Sequence, residues 1–325
     1  MKKITILLST LVLALFFTAC QKNVSTPTVQ KEQKTRNDIT IFTSSNSDGK
    51  ITVKSIEKAF EANGFTITGN NNMNGAFEKR FGGGKDFKMY RLMFVYNPKL
   101  SVEILKDYPE FGLIAPLSTS VYSKDGSKIS ISSLSLTGMS RISGVPENNP
   151  SLIALSENLT KSLKQAFPNG EFEKINYKMA RPDGELVTRF AFVMDNESGD
   201  IEDAKETYAE TMEGEIESTG FIVAGFTPIL EDLEENGVHD YEFYDGYSIC
   251  KLEVIYPVHK IHPEVGAFAP CTMYLYKKKG DKFTRMGYPS VYNWVMSTNI
   301  YDDGSLEPLL DAQNLLESTI DSTIE

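Results

Sequence analysis

The sequence predicts an α+β protein made of two tandem β-α-β4-α domains with antiparallel sheets. Three observations carry that prediction. The first is an internal repeat. Pro109-Glu110-Phe111-Gly112-Leu113-Ile114-Ala115-Pro116 matches Pro263-Glu264-Val265-Gly266-Ala267-Phe268-Ala269-Pro270 at five of eight positions, at an offset of 154. Tyr122 with Tyr276, Ser151-Leu152 with Ser305-Leu306 and Leu155 with Leu309 keep that offset. Gly64-Phe65 and Gly69 match Gly220-Phe221 and Gly225 at an offset of 156. The period is a whole domain, not the ~20–50 residues of a solenoid. The second observation is order: runs of consecutive strands with helices at set points favour an antiparallel layer over a doubly wound sheet. The third is size and composition. The chain has 325 residues, 41% hydrophobic and 24% charged, a globular balance with room for about two domains.

In the first copy, Ile39–Thr43 alternates as a strand. Val53–Asn63 reads as a helix with Ile56, Ala59 and Phe60 on one face, stopped by Gly64. Strands are expected at Phe65–Thr68, Met89–Tyr96, Leu113–Tyr122 and Ile129–Leu136. An amphipathic helix starts at Ser151, behind Pro150, with Leu152, Leu155, Leu159 and Leu163 at helical spacing. The second copy gives a strand over 187–194 and an acidic helix over 200–219 with Ile201, Ala204, Tyr208, Met212 and Ile216 on one stripe. Strands over 221–226, 247–256, 268–277 and 282–287 follow, then a helix over 305–321. The resulting domains span 38–168 and 186–322. Between them, 169–185 is a turn-rich linker in which Phe172–Met179 offers one extra strand.

The N-terminus supplies an address. Lys2 and Lys3 precede an apolar run of 14 residues, Ile4–Phe17, and the small residues Thr18-Ala19 lead to Cys20. The run is too short to span a bilayer and reads as a signal peptide over 1–19. Phe17-Thr18-Ala19-Cys20 resembles a bacterial lipoprotein lipobox. That resemblance implies acylation (palmitate included) at Cys20, and Gln21 after it resembles the outer-membrane sorting pattern. The lipid bilayer is then a partner through Cys20, and the expected location is the cell envelope, on the outer membrane facing the periplasm. Several acyl chains exceed the two signals that stable anchoring needs. Residues 20–37 are polar and aperiodic, a lipid-anchored flexible tether that would reach ~20–25 Å.

The strand order, with Ile249-Cys250 on one strand and Ala269-Pro270-Cys271 opening the next, resembles the bacterial and archaeal family called domain of unknown function 302. Lys277-Lys-Lys-Gly-Asp281, and Lys124-Asp-Gly126 in the first copy, stand at its turn. The resemblance implies a TATA-binding-protein-like fold and no established activity. The first copy departs from the pattern, with Met93 and Leu117 where the Cys would stand, so thiol chemistry belongs to the second copy.

Charge and motifs exclude several functions. The chain carries 33 Lys+Arg against 44 Asp+Glu, a net −11, and loss of the signal peptide makes it −13. Such a surface argues against nucleic acid, which needs a basic face. Phe81-Gly-Gly-Gly-Lys85-Asp86 fails as a phosphate loop: no Gly stands five positions before Gly84, and Asp86 replaces the Ser/Thr that holds Mg²⁺. It reads as a flexible loop. No Gly-x-Ser-x-Gly elbow occurs. The acids between Asp195 and Glu217 lack calcium-loop spacing and read as a solvated helix face capped by Asp200. Cys250, His259, His262 and Cys271 have zinc-ligand types, yet strands on either side would carry the thiols far from the histidines. The histidines then read as exposed loop residues. No catalytic residue, metal or cofactor is assigned.

Cys250 and Cys271 remain as a disulfide or redox pair, or as two buried thiols. A hairpin centred near position 260.5 makes opposite residues sum to 521, which sets these two face to face. Cross-strand Cβ atoms then approach disulfide distance, and an oxidising envelope favours closure. The expectation for function is a membrane-tethered, non-enzymatic envelope lipoprotein that binds a small ligand or an envelope protein partner. The alternative is a thiol/disulfide redox protein using Cys250 and Cys271.

Overall fold

Five of the helices start where a side-chain cap precedes an apolar stripe. The computed structural model describes residues 37–177, 184–196, 199–269 and 271–324. Cys20, the signal peptide and all but the last residue of the 20–37 tether lie outside the described residues, as does Pro270. The first half runs β1 (Ile39–Ser45), α1 (Val53–Glu61), β2 (Thr66–Asn72), α2 (Met73–Phe81), β3 (Met89–Tyr96) and α3 (Pro98–Leu105). A 3-10 turn (Pro109–Ile114), β4 (Leu117–Ser123), β5 (Lys128–Leu134), α4 (Leu136–Ser143) and α5 (Pro150–Ala166) complete it. The short strand β6 (Glu171–Phe172) follows and pairs with β1. The second half runs β7 (Val187–Phe192), α6 (Ile201–Ser218), β8 (Ile222–Pro228), α7 (Ile229–Glu235), β9 (Tyr241–Cys250) and α8 (Leu252–Ile261). A second 3-10 turn (Pro263–Ala267), β10 (Cys271–Lys278), β11 (Thr284–Pro289), α9 (Tyr292–Thr298) and α10 (Asp303–Ile324) complete it.

The α+β class is borne out. Two antiparallel sheets form, ordered β2-β3-β4-β5-β1-β6 and β7-β11-β10-β9-β8. Without β6, the second order is the first read backwards with each strand replaced by its counterpart. At α1, Thr52 and Ser55 close a reciprocal capping box, and Ile56, Ala59 and Phe60 are buried. Gly64 and Gly220, after α1 and α6, both take positive φ, at 83° and 84°, the left-handed stop that glycine adopts without strain. Asn149 caps α5, and Leu152, Leu155, Leu159 and Leu163 are all buried.

Three expectations need correction. The strand expected over 247–256 starts at Tyr241 and ends at Cys250, and residues 252–261 are helical. Val254, Ile255, Val258 and His259 fall on one buried stripe there, a helical period that the apolar run concealed. The strand expected from Leu113 begins at Leu117, because Pro109–Ile114 is a 3-10 turn. Short helices also follow β2, β3, β8 and β9, where an uninterrupted run of strands was expected, and each last strand, β5 and β11, is followed by a short helix before the closing one.

The two halves pack as one compact unit, and the repeated motif is the reason. Each 3-10 turn lies on the sheet of the other half: Pro109–Ile114 against β10 and β11, Pro263–Ala267 against β4 and β5. Tyr244 Oη donates to the Pro109 carbonyl at 2.5 Å, and Ser120 Oγ donates to the Pro263 carbonyl at 2.8 Å. The motif glycine permits the approach. A Cβ on Gly266 would strike Ser120 Cβ, and one on Gly112 would lie 2.8 Å from Tyr274 Cβ. A further link is buried: Ser297 Oγ donates to Asp38 Oδ2 at 2.7 Å, and Arg141 forms an ion pair with the same carboxylate.

Candidate functional site

Between the halves lies a cleft with a volume of about 320 Å³, within the size range of small-molecule sites. Met73 and Ala76 of α2 and Leu92 and Phe94 of β3 line it from the first half. Ile222 and Ala224 of β8, Cys250 at the end of β9 and Leu252 at the start of α8 line it from the second. Asn71 and Asn72 add amide groups to an otherwise apolar wall. Gly69 keeps β2 close to β3, since a Cβ there would sit 2.7 Å from Phe94 Cε2. Ile222 is 41% exposed, so the cleft opens to solvent.

A second, smaller pocket lies between the second sheet and α8 and α10. Cys250, Cys271, Trp294, Leu309 and Leu316 are among its walls, and its volume of about 40 Å³ admits two or three waters. The Trp294 indole is buried there beside the Cys271 thiol.

The two thiols are free. Their strands do pair, but Cys271 stands opposite Ile249, and Met273 opposite Tyr247. The directly opposite pairing of Cys250 and Cys271 is therefore corrected by one residue, although both still border the same small pocket. The physical reason is that 251–270 is no symmetric loop: it holds α8 and a 3-10 turn, so its midpoint does not set the register. Burial pushes the Cys250 thiol up to about 12, with nearby Cys271 adding to it. Burial likewise pushes Cys271 up to about 12, against a lowering by Trp294. Burial thus disfavours the thiolate, the reactive form, at both positions.

The histidines are not exposed loop residues. His259 lies on α8 and is 1% exposed, its ring 4.6 Å from that of Phe77 and 4.8 Å from that of Tyr90. Its Nδ1 faces the carbonyls of Tyr256 and Ile255 at 2.6 and 3.1 Å, and burial lowers its pKa. His262 sits between two carboxylates, with Nδ1 3.4 Å from Glu264 and Nε2 3.4 Å from Asp302. Burial lowers its pKa, but the two acids outweigh that and hold it above the ordinary value. Among the described residues no group of three or more His, Cys, Asp and Glu could hold a metal ion. The glycine-rich run does not stand free either: Gly82 ends α2 with φ at 65°, and Gly83 lies against the Tyr256 hydroxyl.

The register also reassigns the first-half counterpart of Cys250. Val95 pairs with Leu117 as Ile249 pairs with Cys271. Leu117 therefore does correspond to Cys271, but Tyr96, not Met93, corresponds to Cys250. The offset of 154 already contained that assignment.

Residues 41–166 match the profile of "Domain of unknown function DUF302". The sequence resemblance thus holds over the first half, the copy without the cysteines. A solved structure, "Crystal structure of uncharacterized conserved protein DUF302 from Bacillus stearothermophilus", is 20% identical. Its match covers 44% of this chain and 100% of the other, with a TM-score of 0.36. A search of curated proteins gives no match.

Proposed function

We propose that this is a membrane-tethered, non-enzymatic envelope lipoprotein whose two halves hold a small ligand in the cleft between them. The cleft carries the reading: about 320 Å³ in volume, apolar on both walls, with amides from Asn71 and Asn72 to orient what enters. No nucleophile in it is paired with a base. Its one thiol is held protonated by burial, which favours binding over the redox alternative. Anchoring rests on the lipobox-like Phe17-Thr18-Ala19-Cys20 and the polar stretch after it. Two experiments test the two parts. Cys20→Ser should move the protein from the membrane to the soluble fraction, and a variant still acylated and membrane-bound would defeat the anchor. Ligand-observed NMR of the full chain in nanodiscs with a set of small neutral fragments should find binders whose signal Ala224→Trp removes. Binders indifferent to that substitution, or none at all, would defeat the cleft.

A further inference from the structure

The cleft has a counterpart, and the comparison says what it lacks. At the other junction between the halves, α7 packs on α3 as α2 packs on α8. There Tyr96, at the end of β3, lies beside Asp232 of α7, and its ring is buried at 4% exposure. The register makes Cys250 the equivalent of Tyr96. The constant offset of 156 from β2 into α2 makes Ala76 the equivalent of Asp232, just as buried Met73 and Phe77 match buried Ile229 and Leu233. A tyrosine and its carboxylate neighbour at one junction are thus a cysteine and an alanine at the other. Both small residues line the cleft.

Building on the cleft as the binding site, we infer that its ligand is a small uncharged aromatic ring compound of phenol type. Its ring would take the place over Cys250 that the Tyr96 ring takes at the equivalent junction. Leu92, Phe94 and Leu252 offer apolar contact to the ring faces, and aromatic rings prefer such offset or edge contacts with a phenylalanine. No carboxylate stands at Ala76, so the ring's hydroxyl would turn to the amides of Asn71 or Asn72, each able to donate and accept. Absence of a charged group on the cleft walls disfavours an ionic ligand, which would lose hydration without a partner.

The probe is p-cresol, the tyrosine side chain as a free molecule, with cyclohexanol as its aliphatic control. With the full chain in nanodiscs, p-cresol should bind with a dissociation constant on the order of millimolar. It should give intermolecular NOEs to the methyl groups of Met73, Ala76, Leu92 and Leu252, and cyclohexanol should bind at least tenfold more weakly. Cys250→Tyr, which restores the missing ring, should weaken p-cresol at least tenfold without lowering the melting temperature. Ala76→Phe fills the same space from the opposite wall and serves if Cys250→Tyr does not fold. Cyclohexanol binding as well as p-cresol, with both blocked by either variant, would overturn the aromatic class and leave the cleft reading standing. No NOE from either probe to those methyls, or p-cresol binding unchanged in both variants, would overturn both.

Discussion

The two 3-10 turns share five of eight residues yet live in different surroundings. Glu110 of the first turn is half-exposed and forms a two-pronged pair with Arg189, at 2.8 and 2.7 Å, on the sheet it docks against. Glu264 of the second is buried, accepts a 2.7 Å bond from the Tyr177 hydroxyl, and faces His262. The backbone of each turn makes the same kind of contact, a proline carbonyl accepting from the opposite sheet. One motif therefore encodes the turn and its docking, while the charge partner is chosen by whatever the other half presents. A second contrast runs the same way. Arg91 on β3 and Asp245 on β9 occupy equivalent strand positions with opposite charge. Arg91 donates to Asn70 at 2.7 Å, whereas Asp245 is buried with Lys205 3.7 Å away.

The largest effect is expected from removing what the turns share. Gly266→Ala should cost about 3 kcal/mol in urea unfolding, because the added methyl meets Ser120 Cβ, which cannot swing aside. Gly112→Ala should cost less, since part of its clash is with the movable Tyr244 hydroxyl. If Gly266→Ala unfolds like the parent protein, reciprocal docking is not what joins the halves.

Asp245→Asn should act in the opposite direction. Burial, first among its causes, raises this carboxyl to about 6 against a partial lowering by Lys205. An acid whose folded pKa is raised weakens the fold as pH climbs from its unfolded value, about 4, and the penalty is complete above about 6. The substitution should therefore stabilise by about 2 kcal/mol at pH 7, and its benefit should vanish near pH 4. A destabilised variant at neutral pH would mean that the Lys205 pair outweighs burial.

The two glutamates sharpen the first comparison. Glu264→Gln weakens a buried acceptor and should cost about 1–2 kcal/mol. Glu110→Gln disturbs a half-exposed pair and should stay under about 1 kcal/mol. Equal costs would erase the distinction drawn between the turns.

The smallest effect concerns pH. The folded pKa of His262 is raised, so its contribution is fully present below its unfolded value, about 6.5, and is lost as pH rises through the higher folded one. The first turn has Tyr108 at the corresponding place, so this dependence belongs to the second turn alone. His262→Gln should flatten stability against pH above about 6.5, and NMR titration of the ring should give a value above that of a free histidine. A ring titrating below it would remove the two-carboxylate account.

Elements whose signal is local were legible in the sequence. The stripes of α1, α5 and α6, the stop at Gly64 and the cap at Asp200 required no knowledge of the rest of the chain, and β3 runs over Met89–Tyr96 as its pattern indicated. The offset between the repeated blocks was also legible, and it already implied that both halves would share one order of elements. Other features depended on what packs against them. His259 looked like a loop residue because an apolar run such as Leu252–Ile261 satisfies strand and helix patterns alike. Only the aromatic rings of α2 and β3, reaching it from the other half, show that it faces a core. The partners of Cys250 and Cys271 depended on a register that a midpoint could not supply. That register is set by α8 and the 3-10 turn between their strands, which dock on the first half. The cleft was decided the same way. No single segment encodes a space that exists because Cys250 and Ala76, 174 residues apart, are both small where their counterparts Tyr96 and Asp232 are large.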